Sequence, residues 1–324
     1  MQNNMNNSGF TTEAIDVDLK YKHGDDNSVM RIYKNNEGVC MIGDSVSQGY
    51  IGNNKNSKNY FQYNSKKAYL TGDLGYLDKK NNVATLTFQR PEALNAFNEE
   101  MFDSVADALL NTAEEDDVKV LIITGAGRAF SAGLDLTTVG GKGTAPKHGF
   151  PGMFEAFIDY PKPILLAING IGVGFGCTIC GLADLVFMAE SARLKCPFTS
   201  LGLSAEAGST ITFPGLMGHQ AATWALMSSE WLDAESCKQS GLVFSVCPDD
   251  ALLSIVSRHA DILAEKPLSS LITNKELLMA PKRDALREVN EVETVAISSL
   301  MGGPANLEAI AAFKEKREAD FSAL

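Results

Sequence analysis

Residues 163–189, PILLAINGIGVGFGCTICGLADLVFMA, hold an apolar run, a glycine-rich turn, a helical run and a second apolar run. Continuous apolar runs this short read as strands buried on both faces, a property of parallel sheets covered by helices. Upstream, VKVLIITG (118–125) is another such run, ending at Gly125, and VATLTF (83–88) alternates like a half-buried strand. Between them, NEEMFDSVADALLNTAEED (98–116) places Met101, Val105, Ala108 and Leu109 on one helical face and acids on the other. The alternation of strands and helices predicts an α/β architecture with helices packed on a parallel sheet. Towards the C-terminus, QAATWALMSSEWL (220–232), DALREVNEVETVAISSL (284–300) and NLEAIAAFKEKREADF (306–321) read as amphipathic helices.

The first 82 residues differ: they hold fourteen asparagines and lack long apolar periodicity. The expected organisation is therefore an Asn-rich, poorly ordered extension over residues 1–80 and one folded domain over 81–324. A net charge of −12 argues against a nucleic-acid partner. No apolar run reaches membrane-spanning length, and the polar start MQNNMNNSGF lacks the layout of a signal peptide. Six cysteines in 324 residues are too few for a disulfide scaffold, which fits a reducing, cytoplasmic setting. Cys177 and Cys180 form a C-x-x-C inside an apolar run, with no second pair at zinc spacing, and read as small buried thiols. No metal is expected.

Two loops carry chemical interest. GRAFSAGLDL (127–136) follows a strand, and NGIGVGFGCTICGLADL (169–185) turns on glycines into a helix. Glycine lets a backbone approach a ligand closely, and the first N–H groups of a helix have no partner within it. One such N–H from each loop would hold an oxygen on which negative charge develops. The glycine pattern is not a dinucleotide fingerprint, since no acid follows in the βαβ frame. A third stretch, GLSAEAGST (202–210), isolates Glu206 among small residues, with no formal charge between Lys195 and Glu230. An isolated acid in apolar surroundings has its pKa raised and becomes a better base.

Taken together, RPEALNAF (90–97), AFSAGLDL (129–136), PKPILLAINGIGVGFG (161–176), ADLVFMAESARLKCPF (183–198) and AFKEKREADF (312–321) resemble the crotonase (enoyl-CoA hydratase/isomerase) superfamily in order and spacing. The resemblance covers about residues 81–324. It implies a spiral of ββα units with a C-terminal helical region that builds homotrimers or hexamers. It also implies an acyl-CoA substrate, no separate cofactor, and an oxyanion hole made by the backbone N–H groups of Leu134 and Phe175. CoA contacts carry over to Ala93 and Leu94 and to Ser131 and Ala132, with Gly133, Gly174 and Gly176 lining the substrate.

The family's hydratases orient a water with two glutamates, one in a GGGCEL-like and one in a QPE-like motif. The matching residues here are Thr178 and Phe198, and neither is an acid. The stretch PFTSLGLSAEAGSTITFPGLMG (197–218) instead resembles the PFSxLGxxPEGxSS segment of the peroxisomal-type Δ3,Δ2-enoyl-CoA isomerases, where the glutamate is the catalytic base. That residue is Glu206, with Ala205 where the subgroup has proline. Asp135 and Asp184 follow common family motifs and read as structural. The expected activity is double-bond isomerisation of unsaturated acyl-CoA in fatty acid β-oxidation. The alternatives are hydration or another crotonase reaction, and a non-catalytic acyl-CoA-binding module. Residues 45–78 are similar to a piece of an adenylate-forming ligase, in which Asp73 would meet the ribose, but without that family's phosphate loop or catalytic lysine segment. The terminal Ser322-Ala323-Leu324 is close to a peroxisomal S-K-L signal, with Ala in place of the basic residue, so the peroxisome is the alternative location.

Overall fold

The computed structural model describes residues 75–135, 146–322 and 324, together with four strands nearer the N-terminus. Those four form two antiparallel hairpins, β1 (Arg31–Asn35) with β2 (Gly38–Ile42) and β3 (Tyr60–Tyr63) with β4 (Lys66–Tyr69). Asp73 and Ala323 lie outside the described residues.

The body of the fold repeats one unit. Each repeat gives one strand to a six-stranded sheet, a second to a four-stranded sheet, and then a helix. β7 (Val120–Gly125), β8 (Ala129–Ser131) and α2 (Gly149–Asp159) make one repeat. β9 (Ile164–Ile168), β10 (Ile171–Val173) and α3 (Phe175–Thr178) make the next, followed by β11 (Leu185–Ala189), β12 (Arg193–Lys195) and α4 (Ser209–Met227). With β5 (Gly75–Lys80), β6 (Val83–Phe88), β13 (Leu232–Asp233) and β14 (Ser245–Cys247), the sheets run β14-β11-β9-β7-β6-β5 and β13-β12-β10-β8. Only the outer pairs β5–β6 and β12–β13 of these two sheets are antiparallel. This is the expected spiral of ββα units.

Burial explains the strand types. β7 and β9 are buried at every residue because helices cover one face and the second sheet the other. In β6, Thr85 and Thr87 are half-buried while Leu86 and Phe88 are fully enclosed, giving the alternation. α1 (Glu99–Glu114) starts where the Asn98 side chain accepts from the Met101 N–H at 3.0 Å, and it buries Met101, Val105, Ala108 and Leu109. Asp184 accepts from the Ile164 N–H at 2.7 Å and pairs with buried Lys275, so it ties strand to helix. Cys177, Cys180, Cys196, Cys237 and Cys247 are buried free thiols.

The C-terminal region is helical: α5 (Ala234–Ser240), α6 (Leu252–Ala264), the long α7 (Leu268–Leu300) and α8 (Pro304–Glu315). Three expected helices have different bounds. Residues 228–233 leave α4: Ser229 turns left-handed at φ 55°, and Leu232 and Asp233 pair with β12, while the Trp231 ring lies under Arg193 and Lys195. α7 begins well before residue 284, and α8 stops at Lys316, which is left-handed at φ 56°. Among the described residues, no helix is long and apolar enough to cross a membrane.

β5 is the edge strand of the six-stranded sheet and pairs with β6 along its whole length, from Gly75↔Phe88 to Lys80↔Val83. Deleting residues 1–74 keeps this pairing and is expected to leave the melting temperature unchanged. Deleting residues 1–80 exposes the β6 edge and should lower it by roughly 5 °C or more, with aggregation on heating. Differential scanning calorimetry of the two truncations against the full chain checks this.

Candidate active site

The site is assembled from three loops, and buried Asn95 fastens the first to the second. Asn95 is left-handed at φ 57° and fully enclosed. Its Nδ2 donates to the carbonyls of Ala126 at 2.9 Å and Ala129 at 2.8 Å, and its Oδ1 accepts from the Arg90 N–H at 2.9 Å. Its own carbonyl accepts from Ser131 Oγ at 2.8 Å. The Ala132 N–H reaches the Leu94 carbonyl at 2.9 Å, the Phe97 N–H reaches the Gly133 carbonyl at 2.7 Å, and the Asp135 N–H returns to the Phe97 carbonyl at 2.8 Å. Arg90 closes the loop from outside, bonding the Ala96 carbonyl and pairing with Asp135 at 3.0 Å. Asp135 thus serves the scaffold.

The second and third loops meet backbone to backbone. Gly133 has φ +82°, and a Cβ there would stand 2.5 Å from the Val173 carbonyl oxygen. Gly174 has φ 55° and ψ −121°, a conformation open to glycine, and it precedes α3. A Cβ on Gly176 would collide with the Ser131 carbonyl oxygen. The turn places the Phe175 N–H at the start of α3, and the Leu134 N–H follows Gly133 on the other side of this contact. No described residue accepts from either N–H. The Phe175 ring is locked behind the turn by edge contacts with Phe97 and Phe150 at 5.2 and 5.7 Å.

Glu206 completes the group. Its Oε1 lies 3.9 Å from where a Cβ on Gly174 would stand, the same distance as the Gly133 Cα. The residue is half-buried. Burial first, and the negative charge of Glu293 second, push its pKa up to about 7. No described residue donates to its carboxylate. Thr178 is fully buried and its hydroxyl is turned to the Gly174 carbonyl at 3.3 Å, and Phe198 is packed in the core. Among the described residues, no cluster of His, Cys, Asp and Glu has metal-binding geometry.

The structure therefore brings together Ala93, Leu94, Ser131, Ala132, Gly133, Leu134, Gly174, Phe175, Gly176 and Glu206. Residues 78–323 match the family described as enoyl-CoA hydratase/isomerase. The chain belongs to this family. It is 33% identical over 245 residues to enoyl-CoA delta isomerase 2 of Rattus norvegicus, covering 74% of this chain and 62% of the rat protein. It thus spans under two thirds of that relative's length. It is 31% identical over 258 residues to 1,2-epoxyphenylacetyl-CoA isomerase of Escherichia coli K12, covering 77% of this chain and 97% of that one. The crystal structure of an enoyl-CoA hydratase from Mycobacterium marinum superimposes with a TM-score of 0.62 and 49% identity, over 64% of this chain and all of that one. The fold is the crotonase fold, and members of the family act on acyl-CoA as isomerases and as hydratases.

Two residues that shape the site were not anticipated from the sequence. Asn95 had a local signal, an asparagine in a tight turn, where its side chain tolerates left-handed backbone. Glu293 had none, because it acts 85 residues away from Gly208, whose N–H it accepts.

Replacing Asn95 by alanine leaves the Ala126 and Ala129 carbonyls and the Arg90 N–H without their partner. The expected loss is about 3 kcal/mol of unfolding free energy, read by urea titration. Asn95→Asp keeps the acceptor but not the two donated bonds and should lose nearly as much.

Proposed function

We propose that this chain is a Δ3,Δ2-enoyl-CoA isomerase of fatty acid β-oxidation, with Glu206 as its single acid–base group. One observation carries the reading: a carboxylate with no described partner and a raised pKa lies against Gly174, no described residue accepts from the Leu134 or Phe175 N–H, and Thr178 and Phe198 match the two acids a hydratase would use. The acyl-CoA lies along the backbone of Ala93, Leu94, Ser131 and Ala132, with its thioester carbonyl oxygen on the N–H groups of Leu134 and Phe175.

Glu206 takes a proton from C2 of the 3-enoyl thioester. The C–H electron pair forms the C2–C1 double bond of a dienolate, and the thioester oxygen takes up the negative charge. Two N–H donors aimed at that oxygen stabilise it, each worth roughly 3–4 kcal/mol when lost. The protonated Glu206 then returns the proton at C4, the C2–C3 double bond forms, and the carbonyl is restored. Atoms balance without water, so one carboxyl suffices. A pKa near 7 suits a group that must both accept and return a proton.

The likeness to the M. marinum hydratase favours hydration as the second reading, in which Glu206 alone activates water. Product analysis separates the two: 3-enoyl-CoA should give 2-enoyl-CoA with little 3-hydroxyacyl-CoA. A non-catalytic module would give neither. Exposed Leu277, Val292 and Val295 on α7 and Phe313 on α8 are where further copies would pack in the oligomer typical of the family.

Glu206→Gln is expected to lower isomerase turnover by about 10²–10⁴-fold or more, with substrate binding retained. Turnover within threefold of wild type would place the base elsewhere. For wild type, kcat/KM should fall as pH drops below about 7, where Glu206 gains its proton. The same carboxyl should cost stability. Its folded pKa is above the unfolded value of 4.5, so the folded state holds more protons across pH 4.5–7, and stability falls as pH rises through that window. The Gln variant should therefore melt higher than wild type at pH 8, and the gap should close at pH 4.

A further inference from the structure

We propose that Glu293, on α7, is a positioning residue for Glu206: its buried carboxylate holds the strained turn that carries Glu206 and places a second negative charge behind it. The inference rests on the reading of Glu206 as the catalytic base. The turn is unusual. Immediately after Glu206, Ala207 is left-handed at φ 58° and fully buried, and Gly208 is left-handed at φ 68°. A residue with a Cβ adopts that conformation only where its surroundings enforce it. Gly208 is also the N-cap of α4, yet glycine has no side chain to satisfy the first N–H groups of the helix.

Glu293 supplies both needs from another helix. Its Oε2 accepts from the Gly208 N–H at 2.7 Å, and its Oε1 accepts from the Thr210 N–H at 3.0 Å and the Thr210 hydroxyl at 2.6 Å. On the other side, the Ser209 hydroxyl donates to the Glu206 carbonyl at 2.6 Å. The backbone from Glu206 to Thr210 is thereby fixed at both ends. This assigns to Glu293 the rigidity that proline would bring at position 205.

Charge is the second way in which Glu293 acts on the base. α4 carries no acid or base besides His219, and α3 carries only the buried Cys177 thiol, whose pKa is raised by its hydrogen bond with Cys196 and by burial. Asp135 of the second loop is paired with Arg90, and His148 and Lys147 ahead of α2 are held by Asp107. On α7, Arg287 is bound by Glu155 and Asp159 of α2, and Glu288 and Glu291 are exposed. Among the described residues no Lys or Arg pairs with Glu293. Its charge is met by helix N–H groups and is felt by Glu206, whose proton it helps retain.

The test is Glu293→Gln in the full chain, with kcat, KM and the pH dependence of kcat/KM measured on 3-enoyl-CoA. Removing the neighbouring negative charge favours ionised Glu206, so the acid limb should move to lower pH by roughly one unit. Loss of aim should lower kcat roughly tenfold or more, with KM within threefold. Thr210→Val removes one hydrogen bond and keeps the charge, so it should lower kcat with the limb unmoved. A Glu293→Gln enzyme that melts lower but keeps the wild-type kcat and limb would overturn the proposal, leaving Glu293 a plain helix cap. Should Glu293→Gln not fold, Thr210→Val decides: wild-type kcat there sinks the proposal. If wild type proves to have no isomerase activity, the Glu206 reading fails separately. The titration of carboxyl-¹³C-labelled Glu206 by NMR, assigned with Glu206→Gln, still reports on Glu293. A downward move of that titration in Glu293→Gln supports the charge relation, and no move overturns it.

Discussion

Where the turn at Gly133 crosses the turn at Gly174, backbone touches backbone, and the rest of the site is a consequence. A Cβ on Gly133 would run into the Val173 carbonyl, and one on Gly176 into Ser131. The crossing is made by the second strands of two successive repeats, β8 and β10, which pair in parallel with a register shift at Ile171 and Gly172. Ala129 faces Ile171 and Ser131 faces Gly172, so Phe130 is the extra residue, and its ring goes into the core. A bulge of this kind bends a strand and re-aims the chain beyond it. Beyond β8 that chain carries the Leu134 N–H, and beyond β10 it carries the Phe175 N–H. Close approach thus brings Gly133 and Gly174, the residues just before these two amides and 41 positions apart in the chain, against each other.

Much of this was legible in the sequence because it depends on local rules. β7 and β9 are buried on both faces and appear as unbroken apolar runs, and α1 shows its buried stripe at helical spacing. Glu206 stood out by the absence of charge around it, and the physical reason is the same one that raises its pKa. The features that stayed hidden depend on distant partners. Nothing near residue 293 says that its carboxylate caps a helix beginning at Ser209, and in the sequence it is one acid of several in REVNEVET. The end of α4 was missed for a related reason: residues 228–232 fit the helical pattern, but β12 recruits Leu232 and Asp233 into a sheet edge. α7 also begins before the expected residue 284, since the helix continues through Pro281, a residue type that usually ends one.

The treatment of charge separates scaffold from chemistry. Asp135 is buried and has Arg90, Lys275 is buried and has Asp184, and Glu293 is buried and has three donors. Each obeys the rule that a buried ionic group is matched by partners. Glu206 is the departure: it is enclosed enough for its pKa to rise, and no described residue donates to it. Such a group lowers stability whenever it is ionised, and under the proposed function that loss is exchanged for reactivity.

That exchange also explains why the turn after Glu206 is so heavily constrained. A desolvated carboxylate gains by swinging out to water, and a loop free to move would let it do so. Ala207 and Gly208 in left-handed conformation, the Ser209 hydroxyl on the Glu206 carbonyl, and Glu293 on Gly208 and Thr210 together remove that freedom. The same buried Glu293 charge that fixes the backbone also makes the ionised form of Glu206 less favourable. Holding the turn in place and raising the proton affinity of Glu206 thus come from one carboxylate, the only buried acid on α7.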